Sequence, residues 1–430
     1  MANLAQSYLL AVWEGGGNVP PLLAVARKLL AAGHDVRIMS DACNRPEAEA
    51  IGAQFIAWTT APSRTDKSAA SDVTQDWEPQ DPLEALGRVF DRIMFGPSGA
   101  YAHDVLAEVA HRRPDAIVSS EMLFGVMAAA EAADIPLSLF GPNVPLIPVE
   151  GIPPIGPGLL PARNEEERLQ HAQISAGVAA VFNRGLPALN AARLQLGLPP
   201  LGHVFEQSAR ATSTLFGTAR AFDFAPPQLP PGTYYVGPQL HDTVAPHQWR
   251  SPWSQPDARP LAVLSFSTTF QNQGAALQRV ISAAAGLPLR LLVTLGPALD
   301  PADFETAENT RLVAEAPHGV LMKDADLVIA HGGHGTVMRA LVNDCPLLVL
   351  PMGRDQNDNA ARVAARGAGL TLDPRTATVD EIRASMTRLL AEPDFAINAA
   401  RLGAQIRAEA EASPILELLE ALPRAAAAAA

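Results

Sequence analysis

The residues best placed to do chemistry cluster between Asp326 and Leu372. An apolar run, Leu327 to Ala330, leads into His331-Gly332-Gly333-His334-Gly335-Thr336, and a helical run to Asn343 follows. A second apolar run, Pro346 to Leu350, leads into Pro351-Met352-Gly353-Arg354-Asp355-Gln356, with Asn359 in the next helical run. Continuously apolar runs this short are what parallel strands covered on both faces require. Each ends in a polar turn at its carboxyl end, where open α/β sheets bind ligands. The glycines of the first turn let a ligand approach the main chain closely. Thr336 and the amides around Gly335 open a helix, and a helix N-terminus favours an anion. Asp355 and Gln356 can accept and donate hydrogen bonds to hydroxyls, and Asn359 lies on the same helix face as Gln356. A phosphate site beside a hydroxyl-binding pair points to a nucleotide sugar.

The rest of the chain reads as the elements that must hold these turns. Tyr8 to Trp13 is a strand, Gly15-Gly16-Gly17 a tight turn, and Pro20 and Pro21 suit the first turn of a helix. Gly33 stops that helix and Val36 to Met39 form the next strand, a Rossmann-type opening. Residues 60 to 82 are polar and read as a surface loop, and Leu83 to Arg112 has helical periodicity. Strand, helix and strand follow at Asp115–Ser119, Leu123–Ala133 and Leu137–Phe140. Gly141 to Pro161 is too rich in Pro and Gly for regular structure. Asn164 to Leu196 reads as helix, interrupted near Gly185 and Pro187. Thr212 to Phe216 reads as the last strand of the first half, and Phe222 to Pro260 as a linker. Alternation resumes with Leu261–Phe266, Ala275–Ala285, Leu289–Leu295 and Arg311–Ala314, and helices are expected at Asp380–Leu390 and Phe395–Leu422.

Bulk properties narrow the function classes. At 430 residues the chain exceeds what one core usually supports, so two domains are expected. Net charge is −13 and no basic stripe is evident, which argues against nucleic acid and against an anionic membrane surface. The two cysteines, Cys43 and Cys345, fall in different halves and make no disulfide framework, so a reducing compartment is expected. The apolar run at the start is too short for a membrane span, so no stable membrane insertion and a cytoplasmic location are expected. The terminal alanine run carries no functional inference.

The His-Gly-Gly-x-Gly-Thr and Asp-Gln-x-x-Asn-Ala pattern resembles the donor-binding signature of the family-one, UDP-glycosyltransferase-like enzymes of the bacterial natural-product type. The resemblance implies an α/β fold of two doubly wound Rossmann-like domains facing across a cleft, the GT-B type, with a C-terminal helix crossing back to the N-terminal domain. The expected boundaries are 1–217 for the acceptor domain, 218–258 for the linker, 259–395 for the nucleotide-sugar domain and 396–430 for the last helix and tail. It implies an inverting, metal-independent transfer with no cofactor, the nucleotide sugar (UDP or TDP type) being co-substrate. By the same resemblance His331, Gly333, Gly335, Thr336, Ser267 and Thr268 contact the diphosphate, and Asp355, Gln356 and Asn359 the sugar. Pro317 and His318 match the segment that presents main-chain groups to the base. His334 fills the variable position of the motif.

Three departures stand out. The aromatic that often stacks on the base is missing from Val313-Ala314-Glu315-Ala316. Arg339 stands where relatives often carry a ribose-binding glutamate, and arginine only donates. Asn18 replaces the usual histidine base, and Ser120 stands where the orienting aspartate is expected. Glu121 and Glu14 are then the carboxylates in the right region, since burial raises a carboxylate toward the range a base needs. An acidic phenol or enol needing little help, or attack through carbon, is the other way to do without that histidine.

The expected reaction is hexose transfer to a lipophilic small acceptor such as a phenolic or polyketide natural product, O-linked rather than C-linked. Gly141 to Pro161 is either a packed connection or one wall of the acceptor pocket. A nucleotide-sugar epimerase, or a non-catalytic auxiliary protein on the same architecture, are the rival readings. The oligomeric state is open, a homodimer among the options.

Overall fold

The computed structural model describes residues 5–79, 81–241, 249–253, 257–266, 271–296 and 299–423. Two all-parallel sheets organise them. The first contains β1 (Ser7–Ala11), β2 (Asp35–Ser40), β3 (Gln54–Ala57), β4 (Ala116–Ser120), β5 (Leu137–Gly141), β6 (Ser213–Phe216) and β7 (Thr233–Tyr235), in the order 3-2-1-4-5-6-7. The second contains β8 (Leu261–Ser265), β9 (Arg290–Thr294), β10 (Thr310–Val313), β11 (Leu327–Ala330), β12 (Leu347–Val349) and β13 (Gly369–Thr371), in the order 10-9-8-11-12-13. Both reverse direction beside their first strand, between β1 and β4 and between β8 and β11. That reversal leaves a crevice at the carboxyl ends.

Alternation along the strands decides the layering. Leu9 and Ala11 face one core layer, against the helices Ser98–His111 and Phe124–Ala132, while Tyr8 and Leu10 face the other, against Val19–Ala31. In the second sheet Leu327 and Ile329 pack toward Gly274–Ala284 and Val379–Ala391. Val328 and Ala330 pack toward His334–Val342, Gln356–Ala365 and Pro393–Glu411. Strands buried on both faces need the continuous apolar runs seen in the sequence.

The chain crosses between halves twice. Outbound, the chain leaves after β7 through Val236 to Gln239, where Gln239 Nε2 donates to Ser413 Oγ at 3.4 Å. Ahead of β7, Glu409 in the returning helix Pro393–Glu411 accepts the main-chain N–H groups of Arg220 and Ala221 at 2.5 and 2.9 Å. Inbound, Pro414 breaks that helix, and Ile415–Glu420 continues onto the first half. Ile415, Leu419 and Leu422 enter the core layer of Tyr8 and Leu10, each worth roughly 1.5–3 kcal/mol if fully buried. The Tyr8 hydroxyl donates to the Leu419 carbonyl at 3.1 Å, and His34 meets Glu420 at 3.0 Å.

Four differences from the sequence reading have physical causes. Residues 60–82 are not a loop lying on the surface: Arg64, Asp72 and Thr74 are buried. Asp41 accepts the Arg64 N–H at 2.9 Å and Asp72 accepts the Thr74 N–H and hydroxyl, so local carboxylates supply partners that make burial affordable. β7 lies inside the segment read as linker, and its three residues pair with β6 between proline-rich flanks. The expected helix Phe395–Leu422 is two helices, split at Pro414. β3 and β13 are short edge strands that no periodicity announced. Among the described residues no helix is long and apolar enough to cross a membrane.

Candidate active site

The carboxyl ends of both sheets open onto one cleft of about 1660 Å³. Trp13 and Glu121 line it from the first sheet, and His331 and Asp355 from the second.

On the second-half wall, β11 ends in a turn whose geometry only glycine permits. Gly332 has φ +95°, and a Cβ there would come within 2.9 Å of the Val349 side chain and 3.0 Å of the Gln356 carbonyl. Gly333 caps the helix His334–Val342 with no side chain of its own, leaving the N-terminus open to the cleft. The His331 ring lies over Gly333, where a Cβ would sit 2.5 Å from Nε2. Its Nδ1 has no partner, and the ring is hydrogen-bonded to the Ser265 main chain. Burial, reinforced by the nearby Arg354 charge, holds its pKa down to about 4, so the ring is neutral at rest. His334 is also buried in the cleft wall. Its Nδ1 lies 3.4 Å from Asn359 Oδ1 and its ring meets Phe222 edge-on at 5.8 Å. Burial pushes its pKa down, against the pull of Asp355.

The second turn carries two residues in the left-handed region, Gly353 (φ +147°) and Arg354 (φ +56°). The strain at Arg354 sends its guanidinium across the cleft to Asp76, with two bonds of 2.9 Å. Asp355 precedes the helix Gln356–Ala365 without capping it. It accepts instead from Asn359 Nδ2 at 2.8 Å. Asn359 also donates to the Gly332 carbonyl at 2.8 Å, is fully buried and does not line the cleft. The residue expected to reach phosphate or sugar is therefore a strut joining the two turns. Gln356 Oε1 accepts the Met352 N–H at 2.7 Å and Nε2 donates to Gln271 at 3.1 Å.

Gly335, Thr336, Pro317 and His318 line the same cleft. His318 Nε2 stands 3.4 Å from Ser265 Oγ and 3.3 Å from Thr294 Oγ1. Trp249 and Trp253 pack behind Val313 and Ala316 and do not line the cleft. Arg339 lines it too, with its guanidinium donating to the Gly335 and His241 carbonyls. Ser267 and Thr268 lie outside the described residues, although Ser265, Phe266 and Gln271 on either side line the cleft.

The first-half wall is different in kind. Trp77, Leu86, Met122, Leu146, Val178 and Phe182 line it with apolar side chains. Asn18 lines it without capping its helix. Glu14 is buried behind the glycine turn and does not line the cleft. It accepts the Gly16 N–H at 2.7 Å and faces Lys67 at 4.0 Å, so its bonds hold the turn's shape. Glu121 is different. It is 3% exposed, it lines the cleft, and its Oε2 has no partner. Burial, and then the charge of Asp355 opposite, push its pKa up to about 8 against a bond from the Leu146 main chain.

Sequence reasoning missed Asp76, Gln271 and Asp358. Asp358 accepts the Gly156 and Gly158 N–H groups at 2.7 and 3.2 Å and so docks the Pro/Gly-rich segment against the second half. That segment is both a packed connection and, through Val144, Leu146 and Ile155, part of the cleft wall. Nothing local marks Asp76 or Asp358, because their partners are about 200 or more residues away. No cluster of three metal-ligating side chains occurs among the described residues.

Comparison with known proteins agrees with this geometry. Residues 278–422 match the erythromycin biosynthesis protein CIII-like, C-terminal domain. The chain is 27% identical over 424 residues to 4'-demethylrebeccamycin synthase of Lentzea aerocolonigenes, covering 96% of this chain and 99% of that one. It is 26% identical over 440 residues to demethyllactenocin mycarosyltransferase of Streptomyces fradiae, covering 98% and 87%. Among solved structures, the glycotransferase of kitacinnamycin superposes with a TM-score of 0.72 at 20% identity, covering 96% of this chain and 98% of that one. Glycosyltransferase VinC in complex with DTDP gives 0.66 at 19%, covering 96% and 99%. The chain is thus a glycosyltransferase of the GT-B fold, similar to bacterial natural-product enzymes over nearly its whole length and to the EryCIII-like carboxyl-terminal domain over residues 278–422.

Proposed function

We propose that this enzyme moves a hexose from a UDP- or TDP-sugar to a lipophilic small acceptor, a phenolic or polyketide natural product, through oxygen and with inversion. The observation that carries the reading is the contrast across the cleft. Two glycine-shaped turns and an open helix N-terminus face a wall made largely of apolar side chains. The first arrangement suits a diphosphate and its sugar, and the second a hydrophobic acceptor. The names of the relatives support natural-product acceptors, and the DTDP complex of VinC supports a nucleotide diphosphate.

The acceptor oxygen attacks the anomeric carbon while the bond from that carbon to the diphosphate oxygen breaks. Negative charge gathers on the departing diphosphate. The amides at the start of His334–Val342 and the His331 ring are already aimed at that region, so stabilisation costs little reorganisation. When the diphosphate arrives beside His331, its charge favours the imidazolium, which then donates to the leaving group. Asp355 keeps one carboxylate oxygen for sugar hydroxyls while Asn359 holds the other. In this reading Pro317 and His318 meet the base.

The test is calorimetric titration with TDP and UDP, followed by mass spectrometry of mixtures of TDP-glucose or UDP-glucose with hydroxyanthraquinones. Nucleotide binding, and a product heavier by one hexose with the anomeric centre inverted, are expected, at a rate unchanged by a chelator. A protein that binds neither nucleotide overturns the reading. Conversion of donor without acceptor would make it an epimerase.

A further inference from the structure

We propose that Glu121, at the carboxyl end of β4, is the proton acceptor for the attacking group of the acceptor substrate, with the Trp13 indole N–H on the same cleft wall as the donor that orients that group. The inference rests on the transferase reading above and deepens it.

The geometry begins with register. β1 and β4 pair in parallel, with Ala11 opposite Ser119. Trp13 and Glu121 each follow the carboxyl end of one of these strands, at the reversal point of the first sheet. Both line the cleft and both are more than nine-tenths buried. Both also carry an unpartnered polar atom, Trp13 Nε1 and Glu121 Oε2. An unsatisfied buried donor and an unsatisfied buried acceptor cost roughly 1–3 kcal/mol each. Two of them on the wall of one ligand crevice suit a group that is both donor and acceptor, as a hydroxyl is.

The surroundings suit a base. Gly141, at the end of β5, leaves the space Glu121 fills: a Cβ there would come within 2.7 Å of Oε1. From its own half Glu121 meets Gly141 and the Leu146 main chain. The charged group facing it across the cleft is Asp355. Burial and that charge make the carboxylate a stronger base than an exposed glutamate, which is the tuning general-base catalysis needs. Asn18, in the place of the usual histidine, cannot take a proton at neutral pH. Glu14 has spent its carboxylate on the turn.

In the step itself, a lone pair of the acceptor hydroxyl forms the bond to the anomeric carbon. The bond from that carbon to the diphosphate oxygen breaks, and its electron pair leaves with the diphosphate. The hydroxyl proton passes to Glu121 Oε2, giving the carboxylic acid, which returns it to solvent after the glycoside departs. No redox partner or further reactant is involved.

The experiment compares Glu121→Gln, Glu121→Asp and Trp13→Phe with the wild type, using TDP, TDP-glucose and the hydroxyanthraquinone that gives product in the screen above. Expected for Glu121→Gln are a fall in kcat of at least 100-fold, the order a general base supplies, with TDP affinity unchanged. The wild-type rate should rise with pH to an inflection near 8 that the variant lacks. An infrared band of a protonated carboxyl, titrating over the same range, should vanish in the variant. Glu121→Asp should recover part of the rate. Trp13→Phe should raise the acceptor KM about tenfold and leave the inflection in place. Wild-type kcat and pH profile in Glu121→Gln, with normal TDP affinity, overturn this proposal alone. Failure of the wild type to bind TDP or UDP overturns the transferase reading and this proposal with it.

Discussion

On the second-half wall, Gln356 and Asn359 are committed to internal partners before any ligand arrives: Met352, Gln271, Gly332 and Asp355. The first-half wall is lined by apolar side chains such as Leu86, Met122 and Phe182, and Trp13 Nε1 and Glu121 Oε2 stand without partners. The difference follows from what each must recognise. A diphosphate and a sugar present fixed charge and hydroxyls, so a preorganised main-chain cradle serves many sugars. A hydrophobic acceptor, in the proposed reading, presents shape, which apolar side chains supply.

If the second wall owes its rigidity to the contacts beneath it, breaking those should have the largest effect. Arg362 pairs with Asp223 at 2.6 Å, both essentially buried, and the Tyr235 hydroxyl donates to the same carboxylate. Arg362→Met strands the Asp223 charge and should cost about 3–5 kcal/mol, measured by denaturant unfolding. Unchanged stability would mean that this contact adds nothing to the wall. Next comes His331→Ala, for which kcat at saturating donor should fall about 100- to 1000-fold, since a leaving-group donor is removed. A loss confined to the acceptor KM would place His331 on the wrong wall.

The same histidine sharpens the contrast through pH. Its folded pKa, about 4, lies below its unfolded value, so stability from the neutral ring is fully present above pH 6.5 and is lost as pH falls toward 4. His331→Asn should flatten that acid limb by on the order of 3 kcal/mol, followed as Tm against pH. On the apolar wall, Leu86→Ala should raise the acceptor KM roughly tenfold, for 1–2 kcal/mol of lost contact, and leave the donor KM alone. An equal effect on both would erase the distinction between the walls. The smallest effect belongs to Arg354→Ala. The pair with Asp76 is partly exposed, worth about 0.2–1 kcal/mol, and a donor KM shift of a few-fold should fade in high salt.

What the sequence made legible follows the same division. The turns after β11 and β12 could be read because glycine is obligatory where φ is positive, as at Gly332, and because their chemistry is compressed into one local pattern. Both sheets were legible through their buried central strands. The edge strands β3, β7 and β13 were not, since three or four residues give no periodicity to read. Asn359 looked like a ligand contact because spacing shows which helix face a residue shares, not how deep that face lies. Asp76, Asp358 and Trp13 were invisible as site residues, because each gains its meaning from a partner distant in sequence. Glu121 and Glu14 looked alike on the page. Only burial and partners separate a carboxylate turned into the crevice from one stapled to a glycine loop.

Ser413, just past the returning helix, donates to the Val236 carbonyl and accepts from Gln239 Nε2, so both covalent links between the halves run side by side. Such a seam behaves as a door hinge does: the leaves can swing about it without straining either strap. Arg354 and Asp76, meeting across the mouth, then act as the catch.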